Sequence, residues 1–187
     1  MGVLYFMNKD RLYSYITDRV EELDRYSKDG SAFFFLMASS FIDFLSCAVR
    51  NSTSTGASYR EFIVGRFGSI NLMYQNDDVA LAMYCIMRNG LLHNFSFVPD
   101  HRGDCRGVEG STIRSITVFH LRNGYTDDNH LVVNDSSLWI GAEPFAQDIR
   151  SVMLEILRDA DLERNILLWC ERHPPLAPRG YFNAPTV

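Results

Sequence analysis

Residues 79–95, VALAMYCIMRNGLLHNF, constrain this chain more than any other stretch. Read as one helix, they carry apolar side chains nearly all the way round, and such a helix is stable only when neighbours cover it on several sides. A helical assembly with this element inside it is therefore expected. Arg88, Asn89, His93 and Asn94 are its strongly polar residues, and burying a guanidinium or an imidazole costs free energy unless each finds a partner. Helical spacing puts Asn89 and His93 one turn apart, within reach of each other. Arg88 and His93, five apart, point in rather different directions. A site that uses both would be completed by a neighbouring helix or by a second copy of the chain.

The flanking sequence offers the neighbours. Leu12, Ile16, Val20 and Leu23 mark an amphipathic helix over residues 8–28. A second helix is expected over 31–50, with Ser31 as its cap, a dense apolar face that includes Phe34 and Phe41, and a second face of Ser39, Asp43, Ser46 and Arg50. Asp43 has two readings: an acid that orients Arg88 or His93, or one member of a polar stripe facing water. A third helix opens at Ser58 and breaks near Phe67, where Gly65 and Gly68 weaken it. Its Arg60, Glu61 and Arg66 suit either a phosphate or a solvated face. Asn76, Asp77 and Asp78 suit the start of the apolar helix, since their side chains take up free amide hydrogens and favour the positive dipole end.

Beyond residue 97 the pattern changes. Residues 98–110 read as an exposed loop, 113–122 and 131–133 as strands, and 138–140 as a short third strand. Asn123-Gly124 is a strong hairpin dipeptide, so a small antiparallel sheet is expected. Glu143-Pro144 opens another helix in a place that proline favours. The pattern resumes over 161–173 until Pro174-Pro175 stops it. The expected whole is a single mainly α domain over 1–187. Core helices fill 8–96, a loop and β insertion 97–141, C-terminal helices 142–174 and a loose tail 175–187.

At 187 residues, 47% hydrophobic and 22% charged, the chain can bury a real core. A net charge of −5 argues against coating nucleic acid through a basic surface, because such binding works by neutralising phosphates. A local cationic site is compatible with it. No apolar run approaches the ~20 residues that span a bilayer, and the first dozen residues lack the pattern of a signal peptide, so a cytoplasmic protein without a membrane partner is expected. Cys47, Cys85, Cys105 and Cys170 have neither zinc-site spacing nor a disulfide framework, and read as small buried apolar residues. His120 and His130 lack further ligand spacing, so no metal and no cofactor is expected.

The series Arg88-Asn89-Gly90-Leu91-Leu92-His93, on an apolar helix late in a helical bundle, resembles the R-x4-H signature of the HEPN superfamily. The resemblance covers about residues 8–95, with the C-terminal helices supporting it, and implies a HEPN-like bundle with the β segment as an addition. Many members of that family are metal-independent endoribonucleases of toxin or defence systems. They work as homodimers with the two motifs meeting, and the RNA 2′-hydroxyl attacks the adjacent phosphorus. On that reading His93 is the general acid or base, Arg88 binds the phosphate, and Asn89 holds His93 or the phosphate. RNA is then the substrate, and an antitoxin or nucleotidyltransferase the partner protein. Phe95 stands where some members carry a tyrosine that a nucleotidyltransferase partner modifies, so that control is not implied here. Other members serve as non-catalytic dimerisation or binding modules.

Overall fold

The computed structural model describes residues 8–29, 32–53, 55–91, 97, 105, 111–119 and 130–173. The mainly helical body with a small sheet is as the sequence implies. Helix α1, Lys9–Lys28, is capped by Asn8, whose side chain accepts from the Arg11 amide, and it buries Leu12, Ile16, Val20 and Leu23. Helix α2 spans Ala32–Ala48. Helix α3, Gly56–Arg66, begins two residues before the expected Ser58. Thr55 is the cap, and Ser58 instead closes a reciprocal capping box with it.

The expected break comes at Phe67, where two short 3-10 turns, Phe67–Ser69 and Leu72–Gln75, replace the helix. At Gly68 the Gln75 side chain lies close: its Nε2 donates to the Gly68 carbonyl, and a β-carbon at position 68 would lie 2.7 Å from Gln75 Cγ, so that side chain would have to shift. Asn76 caps helix α4, Asp77–Ala82, which runs straight on as a π-helix over Met83–Gly90. Among the described residues, no helix is long and apolar enough to cross a membrane.

Three strands follow: β1 Ser115–Phe119, β2 Leu131–Asn134 and β3 Ser137–Gly141. Their order is β1-β3-β2, with β2 antiparallel to β3 and β1 parallel to it. The sheet is therefore mixed, and the hairpin lies one connection later than expected. Its turn is Asp135-Ser136, both with positive φ (46° and 64°), the handedness that matches the twist of paired strands. That hairpin leaves the far edge of β3 open to β1, and the long link from β1 to β3 is of the length a parallel pairing requires. Asn123-Gly124 lies outside the described residues, as do Ser31, Pro174-Pro175 and the tail.

Helix α5, Ala142–Arg158, and helix α6, Ala160–Arg172, turn a corner at Asp159, whose side chain caps α6. Phe145 on α5 joins the layers. Its ring lies 6.2 Å from those of Phe34, Phe35 and Phe67 and 6.5 Å from that of Tyr74. Beside it Asp148 Oδ2 accepts from Tyr74 at 2.6 Å and lies 2.7 Å from His130 Nε2, all three residues being buried. A carboxylate can only accept, so His130 presents Nε2–H. Burial first, and then the Asp148 charge, hold the Tyr74 hydroxyl well above the usual tyrosine range. This network pins the start of the sheet to α5 and to the 3-10 turn.

Asp148→Ala should lower stability by about 3–5 kcal/mol, because it strands two buried donors. Tyr74→Phe, which removes one of them, should cost about 1–2 kcal/mol. Urea unfolding curves check both. Asp78 at the head of α4 accepts from the Thr112 hydroxyl at 2.6 Å and from its amide at 3.1 Å, and these bonds lower its pKa from 3.8. A carboxylate held low in the folded state stabilises fully above its unfolded pKa of about 4 and loses that contribution as pH falls through the folded value. Stability measured below pH ~4 should therefore fall less steeply for Asp78→Asn than for the wild type.

Candidate functional site

Eight residues of π-helix precede Leu91. Its Met83, Cys85, Ile86 and Met87 are wholly buried, so the backbone is covered and must satisfy its own hydrogen bonds. Bonding from i to i+5 widens the turn, an arrangement that recurs at functional sites. It also alters the angular relation that α-helical spacing assigns to residues around Arg88. Arg88 alone of this segment is partly exposed, at 24% of its side chain.

The guanidinium is held from two sides. Nη2 donates to Asp43 Oδ2 of α2 at 3.0 Å, and Nη1 donates to Asn89 Oδ1 at 2.6 Å. Its carbon lies 5.7 Å from the centre of the Tyr84 ring, one helical turn back. Asp43 therefore pairs with Arg88, across the interface between α2 and the π-helix. The supposed polar stripe faces water only in part, since Arg50 is exposed and the two serines are not. Ser39 and Ser46 are fully buried, and Ser46 donates to the Asp43 carbonyl.

Asn89, 7% exposed, uses both ends of its carboxamide. Oδ1 takes the Arg88 proton, and Nδ2 donates to Cys105 Sγ at 3.2 Å. Turned over, the amide would set its donors against a group that has only donors, so its orientation is fixed by its neighbours. Cys105 is bridged to Cys85 on the π-helix. This corrects the reading of four merely apolar cysteines: Cys47 and Cys170 are buried outside any disulfide, and burial pushes the Cys170 thiol up to about 12.

Close to Arg88 lie buried polar groups without good partners. Arg88 Nε, Ser39 Oγ and the Tyr59 hydroxyl are buried without a well-formed hydrogen bond. Burial raises the Tyr59 pKa, with the nearby Ser39 hydroxyl acting against it. The two hydroxyls are thus close enough to influence each other without good bonding geometry. Of the five guanidinium N–H groups two are committed to Asp43 and Asn89 and Nε–H is buried, which leaves two terminal ones for another acceptor.

No family model matches the chain, and no similar curated protein or solved structure was found.

The structure thus brings together Arg88, Asn89 and Asp43. His93 and Asn94 lie outside the described residues, as does His120. His130 belongs to the Asp148 network. Arg66 pairs with Glu155 at 2.9 Å, Glu61 pairs with Arg50, and Arg60 Nε donates to the Gly56 carbonyl, so this face is laced by its own charges. Sequence reasoning missed Tyr59, Tyr84, Cys85 and Cys105 as members of the site. Tyr84 was the accessible one, since it lies four residues before Arg88 on the same helix.

Asp43→Ala should cost about 1–2 kcal/mol, less than a fully buried pair, because 22% of the Asp43 side chain and 24% of that of Arg88 reach water. Tyr59→Phe should change stability by less than about 0.5 kcal/mol, since it removes a hydroxyl that makes no good bond. Chemical denaturation of the two variants side by side checks this contrast.

Proposed function

We propose that the chain is a metal-independent endoribonuclease of the HEPN toxin or defence type, acting in the cytoplasm as a homodimer. The observation that supports this reading is the pose of Arg88: a π-helix delivers it, Asp43 and Asn89 fix it, and donors remain uncommitted at a face that reaches water. Such a rigid fork matches the oxygens of a phosphodiester.

In the proposed reaction the RNA 2′-oxygen forms a bond to phosphorus as the bond to the 5′-oxygen breaks, leaving a 2′,3′-cyclic phosphate and a 5′-hydroxyl. Arg88 neutralises charge that grows on the phosphoryl oxygens. Asn89 sets the plane of the guanidinium. His93 moves the proton, as an imidazole near neutrality does well; its part rests on the R-x4-H spacing. An enzyme of this kind needs a restraining protein, and an antitoxin or a nucleotidyltransferase fits that place, though Phe95 offers no tyrosine to modify.

The Arg88–Asp43 ion pair also favours a second reading, in which the same groups fix helix packing in a non-catalytic dimerisation or binding module. A guanidinium already facing a carboxylate specifies geometry without chemistry.

RNA cleavage in excess chelator separates the two. The wild type should leave 2′,3′-cyclic ends, and Arg88→Ala and His93→Ala should each lose at least about 100-fold in rate while remaining folded and dimeric. Absence of cleavage by the wild type, with Arg88→Ala melting earlier or dissociating, would select the binding module.

A further inference from the structure

The Arg88 site is tied to the body by a covalent link as well as by hydrogen bonds. The Cys85–Cys105 bridge spans 20 residues, and the loop it closes contains Arg88, Asn89 and His93. Its sulfur at Cys105 accepts from Asn89 Nδ2, and the other end of the same carboxamide holds Arg88. Bridge, carboxamide and guanidinium therefore form one continuous chain of contacts. Cys85 and Cys105 are both 0% exposed.

We propose that Cys105 is a positioning residue of the Arg88 site, and that the site takes its observed form only while Cys105 is bridged to Cys85. The proposal rests on the reading of Arg88 as a functional group and names the control of that group. Once reduced, the Cys105 sulfur is no longer tethered to the π-helix, and its thiol gains a proton to donate. Asn89 Nδ2 then loses a fixed acceptor. The carboxamide is then held from the guanidinium side alone and can tilt, and the grip on Arg88 loosens. In a cytoplasm that keeps thiols reduced, a bridge of this kind is characteristically redox-sensing.

Formation of the bridge needs an oxidant, and a low-molecular-weight disulfide of the glutathione class suffices. One cysteine thiolate attacks it, forming a mixed disulfide and expelling one glutathione thiolate. The second cysteine thiolate displaces the other glutathione, so the protein gives up two electrons and two protons. A dithiol reverses both steps. Because both sulfurs are covered, exchange requires local opening and is slow.

The test uses the full chain in glutathione disulfide and then in dithiothreitol. Alkylation in denaturant followed by intact mass should count two thiols, Cys47 and Cys170, before reduction and four after it. The side-chain amide resonances of Asn89, assigned by their loss in Asn89→Asp, should shift on reduction and should sit at the reduced position in Cys85→Ala. The kcat for RNA cleavage should fall at least tenfold on reduction, and Cys85→Ser/Cys105→Ser should be low and insensitive to dithiothreitol.

Four thiols in the protein kept under glutathione disulfide would overturn the proposal, as would Asn89 resonances that ignore reduction. If Cys85→Ala fails to fold, the reduced wild type gives the same comparison. Resonances that move in a protein that cleaves no RNA in either state would uphold the positioning role of Cys105 and remove the ribonuclease reading instead.

Discussion

A cation at the end of an apolar helix sets the terms for its surroundings. The segment that carries Arg88 is covered on nearly every side, so the guanidinium leaves bulk water in part and has to be met by acceptors that the body supplies. Asp43 is that acceptor across the interface with α2, and Asn89 is the one within its own helix. Helix α2 can come close because its Ala38, Ile42 and Leu45 are wholly buried. Helix α3 closes the third side with Tyr59. The packing of three elements is thus fixed by what one side chain needs.

Much of this framework could be read from the chain. Apolar spacing located the helices, and Asn8, Asn76 and Gly68 marked starts and breaks because their effects act within a few residues. What escaped depends on partners remote in sequence. Asp148 meets Tyr74 across 74 positions, and no local period announces it. The parallel pairing of β1 with β3 was hidden by a better dipeptide elsewhere, while Asp135-Ser136 formed the turn. Ser39 and Ser46 looked like a solvated stripe because residue type was visible and the neighbours that bury them were not.

The candidate site divides in the same way. Arg88, Asn89 and Asp43 were identifiable because helical periodicity puts the first two on an apolar element and the third on the minor face of another. The bridge was not, since cysteines 20 residues apart carry no pairing information. Nor was the π-helix, whose wider turn is a backbone response to packing and leaves no mark in composition.

Among the described residues two carboxylates, Asp148 and Asp43, each gather donors, and the difference between them bears on where chemistry can occur. Asp148 sits in the core with both donors on one oxygen, and the side chains of Asp148 and His130 are at most 9% exposed. That arrangement is enclosed, which suits a fastener between sheet and helix. Asp43 instead faces a guanidinium with more than a fifth of each side chain in water and with two terminal N–H groups left over. Spare donors beside buried hydroxyls that lack good bonds keep part of their hydrogen-bonding capacity in reserve. An anionic group arriving at Arg88 would draw on that reserve, whereas one arriving near Asp148 would have to break what is already made.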